Sequence, residues 1–310
     1  MDTVDLLICK ALMKDPRISY RDLAKDTGMS SVAVHKRVQD LVRSGVINGF
    51  HGEIDIRALK GVSLMVFGRS EQSSPSQLYK DLSADDSTSM VLFSSGGYVF
   101  VGGMLRSISD LERYLEFVRT AGRMPEASAG LHTIRPSGVR MADIAEPGAI
   151  TPLEMRIISS LRHDSRRPAT EIAEELGLTA RTVSAKIDRM LKEHKLNLSM
   201  RWRPDYSSDT VAIFHMTLRP GADKSLTISE LYRRYPGNLV FLSSFSNVPE
   251  VILGTVWSSS PKEVANLADR MLSDLGLASI TPHVIVDSAF FETWKEKALD
   301  GVGKKPGKRD

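Results

Sequence analysis

The sequence predicts an α+β protein in which one composite unit, three short helices and then a βαββαβ segment, occurs twice along the chain. Three observations lead there. A stretch near the start is echoed without gaps near the middle. Each stretch is followed by strand-like and helix-like runs in the same order. At 310 residues the chain is also long for a single core, so roughly two to four compact domains are expected.

The repeat is explicit. Residues 15–28, DPRISYRDLAKDTG, align with residues 164–177, DSRRPATEIAEELG, and the register continues through MSSVAVHKRVQDLVRSGVI from Met29 and LTARTVSAKIDRMLKEHKL from Leu178. Apolar positions coincide: Leu23 with Ile172, Ala24 with Ala173, Val34 with Val183, Val38 with Ile187 and Leu41 with Met190.

In the first copy, Val4, Leu7, Ile8, Ala11 and Leu12 recur at helical spacing, and Asp15-Pro16 ends that helix. Ser19 is placed to cap a second helix over 20–27, which Gly28 ends. Ser30 caps a third helix through Arg43 with an inward stripe of Val34, Val38 and Leu41, and Gly45 closes it. Residues 46–56 alternate like a strand and read as a wing. The second copy gives helices over 152–161 and 170–176, a third helix capped by Thr179, and a wing over 196–203. Two helices joined by a short glycine-containing turn, the second polar on its outer face, form the helix-turn-helix pattern.

The βαββαβ segments follow. In the first, residues 62–67 are strand-like, a helix after Pro75 points Leu78 and Leu82 inward, and strands cover 89–93 and 98–104. A helix with Ile108, Leu111, Leu115 and Val118 and a strand over 127–134 complete it. The second places strands at 211–218, 239–245, 251–256 and 279–286, with helices at 228–235 and 261–275. That order is ferredoxin-like. Six segments result: winged helix-turn-helix domains over 1–60 and 150–206, ferredoxin-like domains over 61–135 and 207–300, a Pro- and Gly-bounded linker over 136–149, and a basic, disordered tail over 301–310.

Composition narrows the class of function. A hydrophobic fraction of 42% with 25% charged residues excludes wholesale disorder and fibrous architectures. With no apolar run long enough to cross a bilayer and no signal-like start, a cytoplasmic protein without a membrane partner is expected. Cys9 lies among Ile8 and Leu12 and reads as a packed core thiol. Net charge alternates along the chain, +2 over 1–60, −1 over 61–135, +3 over 150–206 and −3 over 207–300, so the helix-turn-helix segments are the basic ones.

Helix-turn-helix, wing, then βαββαβ resembles the Lrp/AsnC (feast/famine) family of transcription regulators, here in tandem as in some archaeal relatives. The resemblance is carried by RISYRDLAKDTGMSSVAVHKRVQDLVRSGVINGF from Arg17 and by its echo from Arg166. It implies sequence-specific binding of double-stranded DNA through the third helix, dimerisation or further homo-oligomerisation through the RAM-like ferredoxin domains, and modulation by a small effector such as an amino acid. The family's effector turn corresponds to Ser95-Gly96-Gly97-Tyr98, which lacks the usual acidic residues, and to Ser246-Asn247-Val248-Pro249, which lacks glycine. Gly96, Gly97 and Tyr98 are the effector candidates. A tight hairpin is the plain alternative for them.

On the third helix the inward stripe leaves Ser31, Val32, His35, Lys36 and Gln39 outward in the first copy, and Arg181, Ser184, Ala185 and Asp188 in the second. Ser31 and Ser184 can meet several base edges, Val32 a thymine methyl, and Arg181 a guanine in bidentate fashion. Arg37 and Lys186 occupy matching positions suited to phosphate. Arg201 and Arg203, flanking Trp202 in the second wing, are further backbone candidates. A solvent-facing helix surface is the bland reading of all of these.

Residues 62–67 and 211–216 are apolar on both faces, so both sides of each sheet should be covered. Their own helices cover one side, and the other copy's sheet is the natural cover for the second. One chain is therefore expected to be a pseudo-dimer that prefers unequal half-sites about one helical turn apart. Two rivals stand beside this. Siroheme decarboxylases resemble the same family, but His132, His215 and His283 are scattered, and no ligand spacing, nucleophile elbow or phosphate loop is present, so no metal, cofactor or catalytic residue is assigned. An architectural DNA-binding protein with little sequence preference is the other.

Overall fold

Side-chain caps start the first helices where the sequence places them. In the computed structural model, which describes residues 1–133, 146–203, 206, 209–275, 277–300 and 302, α1 (Thr3–Lys14) opens on a reciprocal Asp2–Asp5 box, α2 (Tyr20–Thr27) on Ser19 and α3 (Ser31–Arg43) on Ser30. Gly28 ends α2 at φ 68°, in the left-handed region. Val34, Val38 and Leu41 are buried as expected. The stripe of α1 is corrected by one position: Leu6, Ile8, Cys9 and Leu12 are buried, whereas Leu7 is exposed. Burial pushes the Cys9 thiol up to about 12, as suits a packed, unreactive group.

The chain continues through β1 (Ile47–Ile54), β2 (Val62–Arg69), α4 (Pro75–Leu82), β3 (Thr88–Ser94), β4 (Tyr98–Leu105), α5 (Leu111–Ala121) and β5 (Ser128–Leu131). The same order of elements then recurs as α6 (Pro152–Leu161), α7 (Ala169–Leu176), α8 (Ala180–Lys192), β6 (Leu196–Trp202), β7 (Thr210–Leu218), α9 (Lys224–Arg234), β8 (Leu239–Ser244), β9 (Val251–Ser258), α10 (Pro261–Leu275) and β10 (Leu277–Phe290). Ile108, expected to face inward, is exposed in a 3₁₀ turn ahead of α5; Tyr114 fills the core instead, its hydroxyl 3.1 Å from Thr88 Oγ1. Most of the expected linker (136–145 of 136–149) and nearly all of the expected tail lie outside the described residues.

The wings differ from expectation. β1 and β6 do not each form a wing of their own; they pair with one another, antiparallel, with His51 opposite Ser199 and Ile54 opposite Leu196. This ribbon exchanges side chains between the copies. Met200 and Trp202 of β6 enter the core of the first helix-turn-helix unit, and Ile54 of β1 enters that of the second.

The remaining strands form one eight-stranded antiparallel sheet in the order β5-β2-β4-β3-β10-β7-β9-β8. β10 runs to Phe290, past the expected end near 286, because its first part pairs with β7 and its last part, from Ile285, pairs with β3. The outermost strands also meet: His132 bridges Phe245, Thr133 N–H donates to Ser244 O at 2.8 Å, and Ser246 N–H donates to Leu131 O at 3.0 Å. The sheet thus curls into a ring. Gly130 permits the approach, since a Cβ there would sit 2.4 Å from the Phe245 ring.

Alternation along β2 divides its side chains between two cores. Leu64 and Val66 pack with α4 and α5, while Met65 and Phe67 join Phe100, Ile213, Phe245 and Leu253 inside the ring. The second face of each half is therefore covered by the other half, as the two-sided apolar strands predict, with the edges joined as well. A helix absent from the expected elements, α11 (Trp294–Lys297), follows β10. A Thr293–Glu296 capping box starts it, and Trp294 Nε1 donates to Met104 O at 2.6 Å.

Candidate nucleic-acid interface

Burying the inward stripes of α3 and α8 turns their opposite faces to solvent. Ser31, Val32, His35, Lys36 and Gln39 are all exposed on α3, as are Arg181, Ser184, Ala185 and Asp188 on α8. Val32 is 77% exposed, a large apolar side chain left in water without any packing reason. His35 and Gln39 are partly engaged with their neighbours: the imidazole lies 4.9 Å from the Tyr20 ring, and its Nε2 is 3.2 Å from Gln39 Nε2.

Arg37 and Lys186, the paired phosphate candidates, differ in context. One Nη of Arg37 reaches both Asp2 and Asp5 at 2.7 Å, pinning α3 to the start of α1. A phosphate would compete with two carboxylates there. Lys186 is half-buried and makes no ion pair among the described residues.

Arg203 leaves the interface. Because β6 is paired into the ribbon and lies over the ring, Arg203 stacks on Tyr206 (4.8 Å) and Phe290 (5.7 Å) and donates to Ser288 O at 3.4 Å. Arg201 lines a cavity beneath the ribbon. The long-range pairing of β6 lays Arg203 against the protein, whereas Arg201 remains exposed.

A contact without any sequence signal joins the two units. Arg17 Nε donates to Ser165 O at 2.6 Å and its Nη2 to Arg167 O at 3.1 Å; Arg166 Nε donates to Pro16 O at 2.5 Å and its Nη1 to Tyr20 Oη at 3.0 Å. Arg17 matches Arg166 in the repeat and Pro16 matches Ser165, so each unit grips the same loop of the other. The Arg166 guanidinium also lies 4.1 Å above the Phe50 ring. Charge-assisted bonds to carbonyls at both ends hold the two third helices in a fixed relation.

At the effector turn, Gly96 and Gly97 have φ of 86° and 76°, the tight hairpin conformation that joins β3 to β4. Tyr98 stacks on His283 with ring centroids 4.1 Å apart. The histidines are less scattered than the sequence implied, because the ring brings His215 within 6.5 Å of His283. Burial, and for His283 the nearby His215, holds both imidazoles toward the neutral form, with His283 pushed down to about 4. Among the described residues no three His, Cys, Asp or Glu side chains are grouped to hold a metal ion, and no helix is long and apolar enough to cross a membrane.

Comparison with known proteins bears on both regions. Residues 1–48 match the winged helix-turn-helix DNA-binding family and residues 150–191 match the AsnC-type helix-turn-helix domain. The regulatory protein AsnC of Escherichia coli is 32% identical over 119 residues, covering 37% of this chain and 78% of AsnC. An uncharacterized HTH-type transcriptional regulator of Pyrococcus abyssi is 28% identical over 120 residues, covering 38% of this chain and 82% of its own length. Among solved structures, the siroheme decarboxylase NirDL aligns with 97% of this chain and 98% of its own at a TM-score of 0.59 and 14% identity, a likeness of fold. The match to AsnC extends over more than three-quarters of that regulator, and on it the chain belongs to the Lrp/AsnC family of DNA-binding transcription regulators.

Proposed function

We propose that one chain acts as two fused regulator subunits, residues 1–133 and 146–300, which read unequal DNA half-sites through α3 and α8 by binding and not by catalysis. The observation that carries this reading is the pairing of two exposed, chemically different helix faces with the reciprocal Arg17–Arg166 clasp between their units. Ser31, Val32, Lys36 and Gln39 address one half-site and Arg181 and Ser184 the other; Lys186, and Arg37 once released from its carboxylates, position the backbone. Modulation by a small molecule belongs to this reading. Selection of bound duplexes from a random library by the full chain tests it. Two dissimilar half-sites about one helical turn apart are expected. Recovery of symmetric sites would overturn the asymmetric reading, and enrichment without sequence preference but with a steep salt slope would make the protein an architectural one.

A second reading, decarboxylation of a tetrapyrrole, is favoured by one observation. The solved structure that this chain follows almost end to end is a siroheme decarboxylase, also solved with an iron-uroporphyrin III analogue. His215 and His283 meet inside the same ring. Adding an iron tetrapyrrole and recording the absorbance spectrum separates the readings: a saturable shift of the main band supports the second, and an unchanged spectrum removes it.

A further inference from the structure

The outer face of α3 carries a chain of contacts that begins outside that helix. Tyr20, the first residue of α2, packs against the core of the first unit, and its hydroxyl accepts a hydrogen bond from Arg166 Nη1 at 3.0 Å. The Arg166 guanidinium also lies 5.5 Å from the Tyr20 ring centroid. With the hydroxyl engaged by the other unit, what Tyr20 offers α3 is its ring. His35 rests against it, centroids 4.9 Å apart and planes at 60°.

His35 and Gln39 stand four residues apart on one exposed helix face, where side chains are neighbours. Gln39 Nε2 donates to His35 Nε2 at 3.2 Å. An amide nitrogen has no acceptor capacity, so this imidazole nitrogen accepts, and the neutral ring carries its proton on Nδ1. The bond uses one of the two N–H groups of Gln39 and fixes which end of the amide faces His35. What remains for a ligand is one N–H donor and the Oε1 acceptor. These match the major-groove edge of adenine, which presents N6–H as donor and N7 as acceptor. Guanine presents acceptors at both N7 and O6, one of which would face Oε1 unpaired.

The second unit cannot repeat the arrangement. At the positions of Tyr20, His35 and Gln39 the repeat places Ala169, Ser184 and Asp188. Ala169 has no ring, and an ionised Asp188 offers acceptors alone.

We infer that Gln39 reads an adenine in the first half-site and that His35, seated against Tyr20, is the positioning residue that sets its amide for that base. The inference rests on the regulator reading. Positioning matters because an exposed glutamine otherwise samples many rotamers, and holding it in the bound form removes that cost from binding.

The test uses the full chain on a duplex that it selects, with each base pair of both half-sites replaced in turn and affinity measured by competition. At one position of the first half-site A·T is expected to be preferred by about tenfold. Gln39→Ala should erase that preference. His35→Ala and Tyr20→Ala should reduce it several-fold while the other positions keep theirs, and Tyr20→Phe, which keeps the ring, should retain it. Thermal unfolding checks that each variant folds. Nitrogen NMR spectra of the free chain at about pH 8.5, where histidine is neutral, give a second readout. The His35 proton is expected on Nδ1 in the unaltered chain and in Tyr20→Phe, and partly on Nε2 in Gln39→Ala and Tyr20→Ala. An adenine preference unmoved by Gln39→Ala would overturn the base assignment, and a preference or a tautomer unmoved by Tyr20→Ala would overturn the positioning role. Should the chain select no duplex, the regulator reading and the adenine assignment fall together, and the spectra still decide whether Tyr20 sets His35.

Discussion

The two helix-turn-helix units share their turn and buried stripe, yet they stand on different supports. The first packs on the far half of the chain: Val211 of β7, Val240 of β8 and Trp257 of β9 complete its core, and Lys10 Nζ donates to Pro236 O (2.7 Å) and Leu239 O (2.8 Å). The second meets Ile54 of the ribbon and Leu299 beyond α11. Their reading faces differ as well, since Arg37 is held by two aspartates and Arg181 is exposed. One local fold is thus given different stiffness and charge by what lies under it. A sheet-anchored unit resists displacement, whereas a ribbon-anchored one can follow the ribbon.

The largest effect should come from removing the first support. Trp257→Ala is expected to cost about 3–5 kcal/mol and to raise hydrogen exchange in α1–α3 before α6–α8; Leu299→Ala, at about 2–4 kcal/mol, should do the reverse. Equal loosening of both units by either substitution would break the comparison.

Acid should act on the first unit through the ring on which it stands. His132 and His283 are both pushed down to about 4, His132 by burial and His283 by burial and then by the charge of His215. The unfolded chain takes up these protons near pH 6.5 and the folded chain does not. Stability is therefore fully present above about pH 6.5 and is lost as the pH falls toward 4. Thermal unfolding followed across that window should show a falling midpoint, flattened in His132→Gln, with α1–α3 loosening ahead of α6–α8.

The clasp between the units gives the next effect. Arg17→Ala and Arg166→Ala should each weaken binding to a duplex with both half-sites by about tenfold, near 1.4 kcal/mol, and leave binding to an isolated half-site unchanged. In a double-mutant cycle the two losses should fall short of adding, because each arginine holds the same pair of loops. Smallest of all, Arg37→Ala should cost less than about 1 kcal/mol of stability, since its ion pairs are partly exposed.

What the sequence made legible was local. Ser19, Ser30 and Thr179 cap helices by accepting from the backbone N–H three residues on, and Gly28 and Gly177 end them through their own φ, so the reading needed no distant information. The two-sided apolar pattern of β2 and β7 likewise pointed to cover on both faces. The larger errors share one cause, pairing between residues far apart in the chain, while the α1 stripe and Ile108 were local misreadings of helix phase and start. Strands β1 and β6 read as separate wings because nothing in either marks the other as its partner, and Arg203 was misplaced with them. The far end of β10 carries Asp287 and Ser288, which interrupt an apolar pattern, and only the edge of β3 makes it a strand. The Thr293–Glu296 box ahead of α11 was a signal in plain sight. The meeting of His215 with His283, and of Arg17 with the loop at Ser165, had none.

In the proposed function α3 and α8 read different halves of one site. Hydroxyl-radical footprinting of the full chain on a selected duplex tests it most directly, with Ser31 and Lys36 replaced by alanine in one variant and Arg181 and Ser184 in another. The first variant should lose protection over one half-site and the second over the other. Loss over the same half in both variants, or protection unchanged in either, would contradict it.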